Sequence, residues 1–189
     1  MSEATPIPAE LARRIRLVVF DVDGVMTDGG VYLGATSSGE AVELKRFDIQ
    51  DGLGVLMMKS AGLKVAIVTG RTSEAVRIRA EELQMDDLHQ DRTADKLAAL
   101  TAILERQCVS WDDTAFLGDD LPDLAVLRRV GLPAVVGNAT SDARAVALWH
   151  GTRQGGYGAV REFAEALLTA RGQWADAVEA YVREREQGR

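Results

Sequence analysis

Asp21 and Asp23 stand two residues apart directly after the apolar run Leu17-Val18-Val19-Phe20, and Gly24 follows at once. A short apolar run closed by a polar turn predicts a buried strand of a parallel sheet. Alternation along a strand would leave both carboxylates on one side where it runs out. With no basic residue beside them in sequence, they repel each other unless a cation or a proton lies between. Two more apolar runs end in polar clusters: Lys64-Val65-Ala66-Ile67-Val68 in Thr69-Gly70-Arg71, and Thr114-Ala115-Phe116-Leu117 in Gly118-Asp119-Asp120. The carboxyl ends of parallel strands share one edge, and ligands collect there. On that edge Asp21 and Asp119, with a backbone oxygen, offer the hard oxygen ligands that suit Mg²⁺. Thr69 contributes a hydroxyl, the backbone N–H groups after it can hold phosphate oxygens, and Lys96 supplies a positive charge. A carboxylate nucleophile, a second carboxyl to move protons, a metal and a lysine are the parts of a phosphoryl-transfer site.

The elements that must position these groups follow from pattern and punctuation. A short N-terminal helix is expected over residues 5–14, behind Pro6 and Pro8. Residues 31–47 lack a helical period and read as a β-hairpin, Val31-Tyr32-Leu33 and Val42 to Phe47 around a polar loop. A lone hairpin is marginally stable, so it needs something to pack against, such as its own copy in another subunit. Asp51-Gly52-Leu53-Gly54 opens an apolar helix stopped at Gly62. Ser73 caps a helix running to about Gln84, a short strand lies near Leu88, and Ala94 to Arg106 is a patterned helix carrying Lys96. A helix begins near Pro122, Ala134-Val135-Val136-Gly137 is a further strand, and Ser141 caps a short helix. Gly155-Gly156-Tyr157-Gly158 precedes a helix from Ala159 to about Ala170, and residues 173–189 form a charged helical tail. Strands alternating with helices predict an α/β fold: a Rossmann-like, doubly wound, mostly parallel sheet with helices on both faces, in a single domain over residues 1–189.

The 189 residues carry a net charge of -7, which argues against a general nucleic-acid surface. No apolar run approaches the roughly 20 residues of a membrane helix, and Met1 to Arg14 lacks the apolar centre of a signal peptide. A single cysteine, Cys108, excludes an internal disulfide framework, so the cytoplasm is the expected compartment. Competing chemistries fail on spacing. Val25, Met26 and Tyr32 break a calcium loop starting at Asp21, and Thr114 occupies the arginine position of a cysteine-phosphatase loop at Cys108. Met57 replaces the third glycine of a dinucleotide fingerprint begun by Gly52 and Gly54. His89 and His150 lack acidic or nucleophilic companions. Asp123 admits two readings, support for the site or capping of a surface helix.

Taken in order, Asp21-Val22-Asp23-Gly24-Val25-Met26-Thr27-Asp28-Gly29, Thr69-Gly70-Arg71, Lys96 and Gly118-Asp119-Asp120-Leu121-Pro122-Asp123 resemble the four motifs of the haloacid dehalogenase-like hydrolases. The resemblance implies that Asp21 is the nucleophile, that Asp23 is the general acid/base and lends its carbonyl to Mg²⁺, that Thr69, Gly70 and Lys96 hold phosphate, and that Asp119 is a metal ligand. A narrower resemblance rests on the hairpin in place of a cap domain, on Glu43-Leu44-Lys45-Arg46-Phe47 followed by Asp51-Gly52-Leu53-Gly54, and on Gly155 to Glu162. These are similar to 3-deoxy-D-manno-octulosonate 8-phosphate phosphatases. That likeness implies a phosphorylated sugar acid as substrate, contacts from Asp23, Asp48, Ile49, Gln50, Asp51, Gly52, Arg71 and Arg79, and a homotetramer joined through the 31–47 hairpins. Gln50, Leu56 and Tyr157 stand where basic residues are frequent in that group. A nonulosonate 9-phosphate or another sugar phosphate is therefore the alternative substrate; from a different class, the alternative is a non-hydrolytic module of the same fold, against which the intact Asp21, Asp23, Lys96 and Asp119 argue.

Overall fold

The structure, a computed structural model, describes residues 4–93 and 95–188. In chain order the strands are β1 Leu17–Phe20, β2 Tyr32–Ala35, β3 Ala41–Leu44, β4 Lys64–Thr69, β5 Asp87–Gln90, β6 Thr114–Gly118, β7 Leu132–Val135 and β8 Trp149–His150. The helices are α1 Ala9–Arg14, α2 Ile49–Ser60, α3 Glu74–Glu82, α4 Lys96–Gln107, α5 Leu124–Leu127, α6 Ser141–Val146, α7 Ala159–Ala170 and α8 Trp174–Glu186. Six strands form one parallel sheet in the order β5-β4-β1-β6-β7-β8, while β2 and β3 pair antiparallel by themselves. With the hairpin set aside, this is the doubly wound Rossmann order, and its strand order reverses between β1 and β6.

β1 is completely buried because it lies at the centre, in register with β4 on one side and β6 on the other. Alternate side chains of these strands enter two cores. Val18, Phe20, Val65, Ile67, Ala115 and Leu117 face α2 and α7, whereas Leu17, Val19, Ala66, Val68 and Phe116 face α4 and α5. On the first side the helices pack closely: a Cβ on Gly54 of α2 would stand 2.9 Å from the Cα of Arg161 in α7.

Several boundaries depart from expectation for local reasons. Residues 4–8 are not helical and precede the shorter α1, and the Thr5 N–H donates to the carbonyl of His150 at the sheet edge. α2 opens at Ile49 rather than Asp51 because the Asp48 carboxylate accepts from the Gln50 N–H at 2.7 Å. The helix expected from Ala94 begins at Lys96, capped by Asp95, which accepts from the Ala98 N–H at 3.0 Å; Ala94 itself lies outside the described residues. Ser73 stands at the N-cap position of α3 without a side-chain cap bond, and Thr140, not Ser141, precedes α6. β7 starts at Leu132 and contains Pro133, which cannot donate to a ladder. The Pro133 carbonyl still accepts from the Leu148 N–H at 2.9 Å, next to the unanticipated two-residue β8. The tail is helical as expected, up to Glu186, and Arg189 lies outside the described residues.

Candidate active site

The ends of β1, β4 and β6 meet where the strand order reverses, and a lysine ties them together. Lys96, the first residue of α4, is 5% exposed although it carries a full charge. Its Nζ lies 2.8 Å from Asp21 Oδ1 and donates to Asp123 Oδ1 at 2.7 Å. Asp123 ends the short turn Leu121–Asp123, and its other oxygen accepts from the Asp119 N–H at 2.9 Å and the Asp120 N–H at 3.4 Å. Of the two readings of Asp123, support for the site is therefore the one realised, alongside a capping box with Asp120. The approach is tight: a Cβ on Gly118 would stand 2.5 Å from Asp123 Oδ2, and one on Gly24, where φ is +90°, 2.1 Å from Asp119 Oδ2. Only glycine tolerates both that φ and that contact at position 24.

Three carboxylates, those of Asp21, Asp119 and Asp123, offer oxygens that lie within 4.8 Å of one another. Burial first, and then the charge of Asp123, pushes Asp21 up to about 7 despite Lys96. Burial, then the charges of Asp21 and Asp123, pushes Asp119 up to about 8. For Lys96, burial favours the neutral amine, but Asp21 and Asp123 outweigh it and the ammonium is stabilised. One buried cation thus serves three carboxylates, and burial, reinforced by the surplus negative charge, raises two of them. This donor set fits a divalent cation with hard-oxygen preference.

Asp21 and Asp23 border the same cavity but meet different cations. Strand geometry ends at Phe20, and the N–H groups of Val25, Met26 and Thr27 all turn back to the Val22 carbonyl, so period-2 alternation no longer applies. Asp21 faces Lys96, whereas Asp23 Oδ1 accepts from Lys45 and its Oδ2 lies 3.8 Å from Arg71 Nε. Lys45 and Arg71 also meet Glu43, at 3.6 Å and 2.9 Å. Each carboxylate has its own cation, supplied from distant sequence. Asp21, Asp23, Thr69, Gly70, Arg71, Lys96 and Asp119 all line one cavity of about 250 Å³. Thr69 is buried at the end of β4, and its hydroxyl oxygen accepts from the Arg71 N–H at 3.4 Å.

Residues 48–52 and Arg79 do not line that cavity; they form a second patch at the start of α2. Asp48 is its cap, Ile49 is 86% exposed, and Arg79 donates to the Asp48 carbonyl at 3.2 Å while lying over Phe47. Arg79 also comes close to Gly52, where a Cβ would stand 2.5 Å from its Nη2. Asp51 is buried with its carboxylate turned inward, accepting from the Arg161 N–H at 2.9 Å in the first turn of α7; burial raises it to about 6. The side chain of Asp51 is committed to a helix end, not presented to the cavity. Gln50 and Tyr157, which lack the basic character frequent in the similar group, each meet an arginine in space. Arg153 donates to Gln50 at 3.1 Å, and the Arg46 guanidinium lies 4.2 Å from the centre of the Tyr157 ring. Leu56 shares a groove between α2 and α8 with Arg185.

Three residues of the site were given no role by the sequence, although Glu43 and Lys45 lie in the motif that carries the narrower resemblance. Lys45 and Glu43 reach it only because the hairpin folds back on the turn after β1, a contact pinned by an isolated bridge between Thr27 and Phe47. Asn138 donates to the Gly24 carbonyl at 3.2 Å and accepts from the Gly155 N–H at 2.6 Å. It thereby clamps the glycine turn onto the loop bearing Asp23.

The chain is similar to known proteins in both sequence and fold. A haloacid dehalogenase-like hydrolase profile matches residues 90–154. The 3-deoxy-D-manno-octulosonate 8-phosphate phosphatase of Escherichia coli (strain K12) is 37% identical over 175 residues, covering 91% of this chain and 90% of that protein. The crystal structure of the Moraxella catarrhalis phosphatase of that name, in complex with magnesium ion, phosphate ion and a KDO molecule, superposes with a TM-score of 0.84 at 37% identity, over 92% of this chain and 97% of the other. The cobalt-bound Haemophilus influenzae enzyme gives 0.77 at 32% identity, over 86% and 92%. The chain belongs to the 3-deoxy-D-manno-octulosonate 8-phosphate phosphatase family of haloacid dehalogenase-like hydrolases.

Proposed function

We propose that the protein is a Mg²⁺-dependent phosphatase that hydrolyses 3-deoxy-D-manno-octulosonate 8-phosphate through an aspartyl-phosphate on Asp21. The observation that carries this reading is the buried Lys96 joining Asp21 to Asp123 beside Asp119, at the strand-order reversal of the sheet. The carboxylates of Asp21 and Asp119 and the backbone carbonyl of Asp23 would hold the metal, with Asp123 fixing Lys96 and the Asp119 backbone. Once bound, Mg²⁺ supplies charge stabilisation to the phosphoryl oxygens and to Asp21.

The chain's own residues account for the remaining steps. Lys96 favours the ionised form of Asp21 and aligns it, so that an Asp21 oxygen can attack phosphorus as the ester P–O bond breaks. Asp23 gives its proton to the departing alkoxide and, in the second half, takes one from the water that attacks phosphorus and frees Asp21. The Thr69 hydroxyl, the N–H groups after it and the Lys96 ammonium receive the phosphoryl oxygens. Arg71 at the cavity edge, with the arginines beside Gln50 and Tyr157, supports a substrate bearing a carboxylate.

We further infer that the hairpin is covered by a second copy. Val31, Leu33 and Leu44 are 60%, 75% and 64% exposed, and a four-subunit assembly through these strands would bury them. No helix among the described residues is long and apolar enough to cross a membrane. The test is catalytic efficiency with Mg²⁺ over a panel of phosphorylated sugar acids, together with mass by light scattering. The octulosonate 8-phosphate is expected to lead the panel by at least tenfold and the mass to be that of four chains. A nonulosonate 9-phosphate in first place would reassign the substrate, and a monomeric mass would remove the assembly.

A further inference from the structure

We propose that Lys45 is a positioning residue for proton transfer: it holds Oδ1 of Asp23 so that Oδ2 is the oxygen that exchanges the proton with the leaving group. The inference rests on the reading of Asp23 as general acid/base. The Lys45 side chain is only 3% exposed, against 46% for the neighbouring Arg71. Burying an ammonium is unfavourable unless partners compensate it, and here the partners are Asp23 Oδ1 and, at 3.6 Å, Glu43. The backbone that carries Lys45 is anchored on both sides, by β3 before it and by the bridge from Phe47 to Thr27 after it. The ammonium is therefore delivered to Asp23 by the fold.

Its chemistry makes the two oxygens of Asp23 unequal. An ammonium has donors and no acceptor, and the carbonyl oxygen of a carboxyl group accepts better than its hydroxyl oxygen, so the ammonium on Oδ1 favours a proton on Oδ2. Oδ2 is therefore the oxygen left to exchange a proton, and the Arg71 Nε lies 3.8 Å from it, beyond hydrogen-bond length. Arg71 rests instead on Glu43 at 2.9 Å, and Asp23 is one of the residues that line the cavity. In the first half-reaction the Oδ2–H bond breaks as the alkoxide O–H bond forms. At the same time the ester P–O bond breaks and the bond from Asp21 to phosphorus forms. The charge left on Asp23 is met by Lys45. In the second half Oδ2 takes a proton from the attacking water.

Leaving-group dependence separates this role from a structural one. Departure of an alkoxide needs the proton, whereas departure of 4-nitrophenolate does not. Well-placed proton transfer contributes about 10²–10⁴-fold, so loss of placement alone should remove roughly 10–100-fold. With Mg²⁺ saturating, Lys45→Met is expected to lower kcat/KM on the sugar-acid phosphate by that factor, because kcat/KM reads the steps through departure of the leaving group and not the later attack of water, which both substrates share. The loss of kcat/KM on 4-nitrophenyl phosphate should be at least tenfold smaller, and Lys45→Arg should recover part of the loss. Should Lys45→Met fail to fold, the same ratio is read from Lys45→Gln, which keeps a donor without the charge. Equal losses of kcat/KM on the two substrates, or an unchanged kcat/KM on the sugar-acid phosphate, overturn the proposal. Asp23→Asn is run alongside. An alkyl-selective loss there but not at Lys45 refutes the Lys45 assignment alone, and its absence from both refutes the acid/base reading beneath it.

Discussion

Replacing Asp119 by asparagine should stabilise the metal-free protein while abolishing its response to Mg²⁺. Burial and the charges of Asp21 and Asp123 move the Asp119 carboxyl from its ordinary 3.8 to about 8. The folded chain then holds a proton that the unfolded chain has released, so stability from this group falls as pH rises from about 4 to about 8. At ~1.4 kcal/mol per pH unit the ceiling is about 6 kcal/mol at pH 8. Asp119 is partly exposed to solvent, and screening reduces this to about half, roughly 3 kcal/mol. Asp119→Asn removes the charge at nearly constant shape. For a chain of this length the gain corresponds to a rise in Tm of about 5–10 °C at pH 8, shrinking below about 1 kcal/mol near pH 5. The assay is thermal unfolding of chelator-treated wild type and Asp119→Asn at pH 5 and pH 8, with and without Mg²⁺. Wild type should gain stability from Mg²⁺ at pH 8 by mass action, and the variant should gain little. A variant less stable than wild type at pH 8 without metal, or one equally stabilised by Mg²⁺, would refute the reasoning.

Two further substitutions probe the supporting structure. Asp123→Ala strips Lys96 of its 2.7 Å partner and orphans the Asp119 N–H. Breaking a buried pair from one side costs about 3–5 kcal/mol, partly offset because Asp21 and Asp119 lose a repelling neighbour. A net loss of about 2–4 kcal/mol in chemical denaturation, with activity abolished, is expected, and an unchanged midpoint would contradict it. Asp51→Ala removes the acceptor of the Arg161 N–H and should cost about 1–2 kcal/mol, with KM unchanged. A raised KM at wild-type stability would instead make Asp51 a substrate contact.

The sheet was legible because strands buried on both faces are written as unbroken apolar runs, and β1, β4 and β6 are such runs ending in polar residues. The same ends placed Asp21, Thr69 and Asp119 together, since parallel strands share an edge. What local pattern cannot carry is contact across sequence. Lys45 meets Asp23 over a separation of 22 residues, and Asn138 meets Gly24 over 114. Asp51 looked available because its motif is polar and glycine-rich, yet the tight approach of α2 and α7 turns its carboxylate into a helix cap. β8 has two residues and no periodicity to detect, and Pro133 displaced the expected start of β7. The hairpin was legible in outline, but its ends were not, because exposed strands lack the apolar alternation that fixes register.

The central claim is that Asp21 attacks phosphorus. Enzyme quenched in acid during turnover of the sugar-acid phosphate with Mg²⁺ can be reduced with borohydride, which converts an aspartyl-phosphate to homoserine, and its peptides read by mass spectrometry. Homoserine at position 21, dependent on substrate and Mg²⁺ and absent from a parallel Asp21→Asn sample that shows no turnover, is the expected result. Full turnover by Asp21→Asn, or homoserine at another aspartate, would contradict the account.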